Sequence, residues 1–159
     1  MLSIDLHAPV VPGVSAAGFQ IGLLFDDLAH ALKCQRFVQY YDGFDLNAAI
    51  QSNVGLLRVD GLYQSGPTIY FKNDIVRLAF SLQGVLACIY VFRGYVGAYR
   101  EARLGNPLSV ISKTEPVEYD DGDEMFYRIN ANGTIIPGLA IVAVGGVGHD
   151  ETEIGGLRA

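Results

Sequence analysis

From residue 54 onward, apolar residues recur at every second position in short runs separated by turn signals. In residues 75–82, for example, Val76, Leu78 and Phe80 fall on one face and Arg77 on the other. This alternation is typical of half-buried strands. Because the turns between the runs are short, consecutive strands should reverse direction and pair with each other. The pattern predicts an antiparallel β-meander.

The predicted strands cover residues 56–59, 68–71, 75–82, 85–92, 125–129 and 134–144, with a further short strand entering a turn at 118–119. Residues 85–92 are apolar on both faces, which predicts a central strand. Residues 1–18 contain Pro9, Pro12 and Gly13 and predict an extended arm or an edge strand.

Two short helices are predicted beside the strands. Phe25, Leu28 and Leu32 recur at helical spacing, and a second helix is expected at about 45–51 with Asp45 as its cap. The expected fold is therefore α+β, an antiparallel meander with one or two short helices packed on it. A single domain is expected over 1–144, followed by a flexible C-terminal tail over 145–159, where no pattern is visible.

A weak internal repeat links two segments of the chain. Residues 21–28 and 104–111 share the pattern apolar-Gly-x-x-apolar-x-x-apolar, and strands follow each segment. The match covers four positions, so coincidence is the competing explanation. If the repeat is real, the chain consists of two helix-plus-strands units, of which the second is truncated.

The acidic excess is concentrated in the C-terminal part of the chain. The net charge is −6, and residues 94–159 contain ten acids against five bases. Because phosphate backbones are bound by Lys and Arg, this balance argues against nucleic acid as a direct ligand and favours cations or a basic protein surface. Two isolated cysteines, Cys34 and Cys88, predict a reduced, cytoplasmic protein. No apolar run is long enough for a membrane span.

Six of these acids lie within ten positions, 115–124, next to aromatic residues and on the hairpin expected there. Neighbouring like charges repel one another unless water, a metal or a basic partner compensates them. A solvated turn and a weak cation site are both open interpretations. A third is a protein-binding surface, since aromatic anchors rimmed by charge are typical of binding hot spots. The expected contact residues are Glu118, Tyr119, Asp120, Asp121, Asp123, Glu124 and Tyr127.

No catalytic residue, metal ligand set or cofactor site is predicted. The three histidines are scattered, and the cysteines lack the spacing of a zinc site. An EF-hand calcium loop needs flanking helices, whereas strands flank the acids here. One alternative is a structural or homo-oligomeric module that uses an exposed strand edge. The other is a small metal- or ligand-binding protein or enzyme that uses the acidic hairpin 118–124. A pocket that collects Asp60, Asp74 and Arg77 would favour that alternative.

The segment 15–22, the strands between Tyr70 and Phe92, and the acidic run 118–124 together resemble the immunity proteins of bacterial polymorphic toxins, including those paired with type VI secretion effectors. The resemblance is one of type and includes no diagnostic motif. It implies a protein without enzymatic activity that binds a cognate toxin and occludes its active site. Acidic inhibitors of this class commonly bind nucleases, so the resemblance implies a partner with a basic surface. The chain itself would be a monomer or a homodimer.

Overall fold

The computed structural model describes residues 3–33, 36–62, 65–144 and 152–159, which form a mixed α+β fold dominated by sheet. The described helices are α1 (Phe25–Ala31), α2 (Leu46–Gln51) and α3 (Ser109–Ser112). The described strands are β1 (Ser15–Ala16), β2 (Phe19–Gln20), β3 (Arg36–Gln39), β4 (Leu56–Asp60), β5 (Thr68–Phe71), β6 (Val76–Phe80), β7 (Leu86–Phe92), β8 (Val117–Asp120), β9 (Met125–Ile129), β10 (Ile135–Val144) and β11 (Glu153–Arg158).

Nine of these strands form one sheet in the order β3-β4-β5-β6-β7-β11-β10-β9-β8, and β1 and β2 form a separate hairpin. Every neighbouring pair in the sheet is antiparallel except β3 and β4, which are parallel. The predicted antiparallel meander is thus largely confirmed. The helix at 46–51 also begins as predicted, because the Asp45 carboxylate accepts a hydrogen bond of 3.0 Å from the Ala48 amide.

The predicted flexible tail is wrong for the end of the chain. Strand β11 lies between β7 and β10, and Ile154 and Leu157 on it are fully buried. Its two glycines, Gly155 and Gly156, interrupt the alternation in the sequence. A larger residue would not fit at position 156, because a Cβ there would lie 2.7 Å from the Phe92 ring. Residues 145–151 of the predicted tail, and Cys34, lie outside the described residues.

Apart from β3, the sheet consists of two antiparallel four-stranded units, β4–β7 and β8–β11, joined edge to edge through β7 and β11. The segments before them make matching hydrogen bonds. Gly22 donates to the Leu86 carbonyl at the start of β7, and Gly105 donates to the Ile154 carbonyl at the start of β11, each at 2.8 Å. Both glycines have positive φ angles, 93° and 88°. The second unit is complete, because β11 supplies its fourth strand.

The two faces of the sheet differ in what covers them. The inner face, which carries Leu78, Ile89 and Ile141, packs against α1, α3, the β1–β2 hairpin and the N-terminal arm, and forms the main core. The outer face carries Tyr70, Tyr90 and Tyr127, which register places in one row. A smaller core on this face lies between α2 and strands β4 and β5. Elsewhere on the outer face no described helix covers the sheet.

Candidate protein-contact surface

The acidic hairpin, defined here as residues 117–129, consists of β8, a turn and β9, with β8 at one edge of the sheet. Glu118, Asp121, Asp123 and Glu124 are exposed, and Asp120 is half-buried. Among the described residues, no Lys or Arg forms an ion pair with any of these five carboxylates. The hairpin therefore carries an uncompensated cluster of negative charge.

Three of the predicted contact residues have local structural roles in the turn. Asp120 accepts a hydrogen bond of 2.7 Å from the Gly122 amide. Asp123 accepts a hydrogen bond from the Tyr127 hydroxyl. Glu124 has a positive φ of 61°, which closes the turn. Glu118 and Asp121 have no such role and are the side chains most available to a partner.

The structure separates the two tyrosines that were predicted to act together. Tyr119 lies on the inner face, where its ring packs 5.1 Å from the ring of Phe126. Tyr127 lies on the outer face and is 9% exposed. Burial and then the neighbouring carboxylate of Asp123 raise the pKa of Tyr127. Tyr127 therefore links the turn of the hairpin to Arg158 on β11, and little of its surface is available to a partner.

Tyr127 is the first member of a row of tyrosine and arginine side chains across the outer face. Register places Tyr127, Ala140, Arg158, Tyr90, Arg77 and Tyr70 on successive strands from β9 to β5. The Arg77 guanidinium carbon lies 5.3 Å from the centre of the Tyr70 ring and 5.0 Å from that of Tyr90. These distances are those of cation–π contacts. We call this set the Tyr–Arg row.

The two arginines of the row have different partners. Arg77 forms an ion pair with Asp74. Burial alone would lower the pKa of Arg77, but the hydrogen bonds and charge of Asp74 outweigh it and raise that pKa. Arg158 instead donates to the Tyr127 hydroxyl at 2.9 Å, and no described carboxylate lies within ion-pair distance of it. Arg158 is therefore a half-buried positive charge beside the acidic hairpin.

Glu115, the first acid of the 115–124 run, belongs to a separate cluster on the inner side. It accepts a hydrogen bond of 2.6 Å from the Tyr99 hydroxyl and lies 3.4 Å from both Arg100 and Arg128. Burial, followed by the hydrogen bond to Glu115, raises the pKa of Tyr99. A cleft of about 260 Å³ opens beside this cluster. Its charge is compensated within the chain, so Glu115 does not contribute to the acidic surface.

The alternative interpretation as a metal- or ligand-binding site stays a prediction. Within the described ranges, no group of three His, Cys, Asp or Glu side chains is placed to hold a metal ion. Asp74 and Arg77 do meet, but Asp60 pairs instead with Arg58 at 2.9 Å. Register places Arg58 in a row with Ile69 and Arg77 in a row with Tyr70, on opposite faces of the sheet. The pocket that would favour an enzyme is therefore not formed by these three residues.

No known protein family, curated protein or solved structure matches the chain. None of the helices in the described part of the chain has the length and apolar character needed to cross a membrane.

Sequence reasoning missed Arg158 and Tyr90 as parts of this surface. Arg158 lies in the predicted tail, and Tyr90 lies in a strand predicted to be apolar on both faces. The available signal was the step from apolar Leu157 to charged Arg158, since alternation of apolar and polar residues is typical of a strand with one solvated face. The Tyr–Arg row became visible only once the strand order was known.

Proposed function

We propose that this protein is an immunity protein that acts in the cytoplasm by binding a cognate bacterial toxin and occluding its active site. The observation that supports it best is the acidic hairpin, whose exposed carboxylates have no basic partner in the described chain. A partner with a basic surface would supply the missing compensation and would be attracted over a distance. A nuclease fits this requirement, because its substrate-binding surface is basic.

The Tyr–Arg row supports a protein partner rather than a small ligand. Tyrosine and arginine are enriched in binding hot spots, and three members of the row, Arg77, Tyr90 and Arg158, are partly exposed on a broad sheet face, whereas Tyr70 and Tyr127 are buried. We expect the hairpin to direct the encounter and the neighbouring face to contribute contact area. No chemical step is assigned to the protein.

If a larger protein is encoded directly upstream, as the proposal expects, the test uses its C-terminal domain, assayed for nuclease activity and for binding to this chain. Wild-type protein should bind it and abolish its activity. The double variant Glu118→Lys, Asp121→Lys should bind at least about tenfold more weakly, because both charges are exposed and uncompensated. The matched control is Asp42→Lys, Glu101→Lys, which makes the same charge change at exposed carboxylates outside the hairpin.

Equal loss of binding in both double variants would attribute the effect to net charge and would overturn the assignment to the hairpin. Absence of binding by the wild-type protein, or absence of any toxin-like neighbour, would overturn the proposed function itself.

A further inference from the structure

The first unit carries an insertion that the second unit lacks. Between α1 and β4 the chain forms β3 and α2, whereas between α3 and β8 it runs directly from Ser112 to Val117. Strand β3 pairs with the outer edge of β4, and α2 covers the outer face beside it. Both the edge and the adjoining face of the first unit are therefore occupied by the chain itself.

The corresponding place on the second unit is open. Leu57 pairs with Tyr70 in the first unit, and in the same positions Glu118 pairs with Tyr127 in the second. Leu57 is fully buried in the smaller core between α2 and the sheet, whereas Glu118 is exposed. Where the first unit has an apolar side chain that packs near a helix, the second unit thus has a carboxylate that no described element covers.

The backbone at this edge is also free to pair. The Ile129 amide donates to the Pro116 carbonyl at 2.9 Å, so these two residues form a hydrogen-bonded pair of the β8–β9 ladder. Hydrogen-bonded and non-hydrogen-bonded pairs alternate along an antiparallel ladder, which fixes the direction of every other backbone group on β8. The backbone amides and carbonyls of Glu118 and Asp120 therefore point toward β9, and those of Val117 and Tyr119 point away from the sheet. No described backbone group outside the ladder bonds to these two residues.

A second copy of the chain is a poor occupant of this edge. Antiparallel pairing of β8 with its own copy would place the acids of one strand opposite those of the other, which is destabilising. Charges on an edge strand commonly serve to prevent such self-pairing. The same charges favour a strand that carries Lys or Arg.

We infer that the partner adds a basic strand to the free edge of β8 and covers Glu118 and Asp120, in the place that β3 and α2 take on the first unit. This inference rests on the proposed function and specifies how the toxin is held. Main-chain hydrogen bonds of an added strand supply affinity, and the carboxylates select a basic sequence. The partner thus extends the nine-stranded sheet at its acidic end.

The test compares Val117→Pro with Val117→Ala against the same upstream-encoded domain. Proline removes the outward amide without removing a ladder hydrogen bond, whereas alanine keeps that amide and loses only side-chain contact. We expect Val117→Pro to bind at least about tenfold more weakly than Val117→Ala at equal thermal stability, since an edge hydrogen bond is lost and the added strand is obstructed. Hydrogen exchange on the wild-type complex provides a readout that needs no variant, with protection expected at the amides of Val117 and Tyr119.

Equal affinities of the two variants, or unprotected amides in the complex, would overturn the added strand. The proposed function would survive that outcome if the charge-reversed hairpin still bound weakly. Protection of the same amides in the free protein that rises with its concentration would assign the edge to a second copy and would also overturn the inference.

Discussion

At the scale of single residues, Tyr127 connects the turn of the acidic hairpin to strand β11. Its hydroxyl donates to Asp123 in the turn and accepts from Arg158 on β11. One phenol therefore fixes the position of the hairpin relative to the Tyr–Arg row. A side chain predicted from the sequence as a partner contact therefore also has a structural role within the chain.

Replacing Tyr127 by Phe should destabilise the protein by about 1 kcal/mol, because Asp123 and Arg158 lose a shared hydrogen-bond partner. Urea unfolding monitored by circular dichroism measures this change. A free energy of unfolding equal to that of the wild type would contradict the assigned role of the hydroxyl.

The raised pKa of Tyr127 gives a pH dependence of known sign. Burial and then Asp123 raise this pKa, so the folded state holds the phenolic proton more tightly than the unfolded state, whose value is about 10. The resulting stability is fully present below about pH 10 and is lost as the pH rises further, through the folded-state pKa. Urea unfolding at pH 8 and at about pH 11 should show this fall, and Tyr127→Phe should show a smaller one. If the free energy of unfolding of the variant decreased by the same amount, the pH dependence would come from other titrating groups.

The N-terminal arm approaches β10 closely at Gly138, and a substitution there tests this contact. A Cβ at Gly138 would lie 2.9 Å from the Gly13 amide nitrogen, whereas a Cβ at Gly133 would meet nothing within 4 Å. Both residues have positive φ angles, 103° and 77°, so Gly133→Ala controls for backbone strain. We expect Gly138→Ala to cost about 1–3 kcal/mol more than Gly133→Ala, because the arm must be displaced. Thermal melting compares the two variants, and equal midpoints would show that the arm does not dock there.

At the scale of elements, β11 completes the second unit and joins it to the first. Replacing the fully buried Leu157 by Ala should cost about 2–5 kcal/mol, because it leaves a cavity in the main core. The exposed Val144 on the neighbouring strand is the control, and Val144→Ala should change stability by less than about 0.5 kcal/mol. Denaturant unfolding measures both. A negligible effect of Leu157→Ala would mean that the end of the chain is a tail after all.

The elements that the sequence predicted well are those whose signals are local. Strand β5 and helix α2 begin and end close to their predicted bounds, because alternation and a capping aspartate are read from neighbouring positions. Strand β11 escaped prediction because glycine, which has no side chain to show alternation, occupies two of its six positions. The site was predictable only in part. Clustered carboxylates are visible in a sequence, whereas the meeting of Arg158 with Tyr127 depends on strand order.

At the scale of the whole molecule, the two units are similar in strand pairing and opposite in what covers them. The first is closed by β3 and α2, and the second ends in an acidic edge. The edge of β4 is thus covered within the chain, and β3 becomes the edge strand at that end of the sheet. The other end has the free backbone groups, the charge and the neighbouring aromatic face that suit a protein partner.

The salt dependence of the association rate with the upstream-encoded domain, which the proposal takes to be the toxin, tests this account most directly. If the acidic hairpin directs the encounter, the wild-type rate constant should fall by about tenfold or more as ionic strength rises from about 0.01 to 1 M, because salt screens exposed charges. The Glu118→Lys, Asp121→Lys variant should associate more slowly at low salt and show a shallower dependence. A wild-type rate that does not change with salt, or a variant with the same slope, would contradict the account.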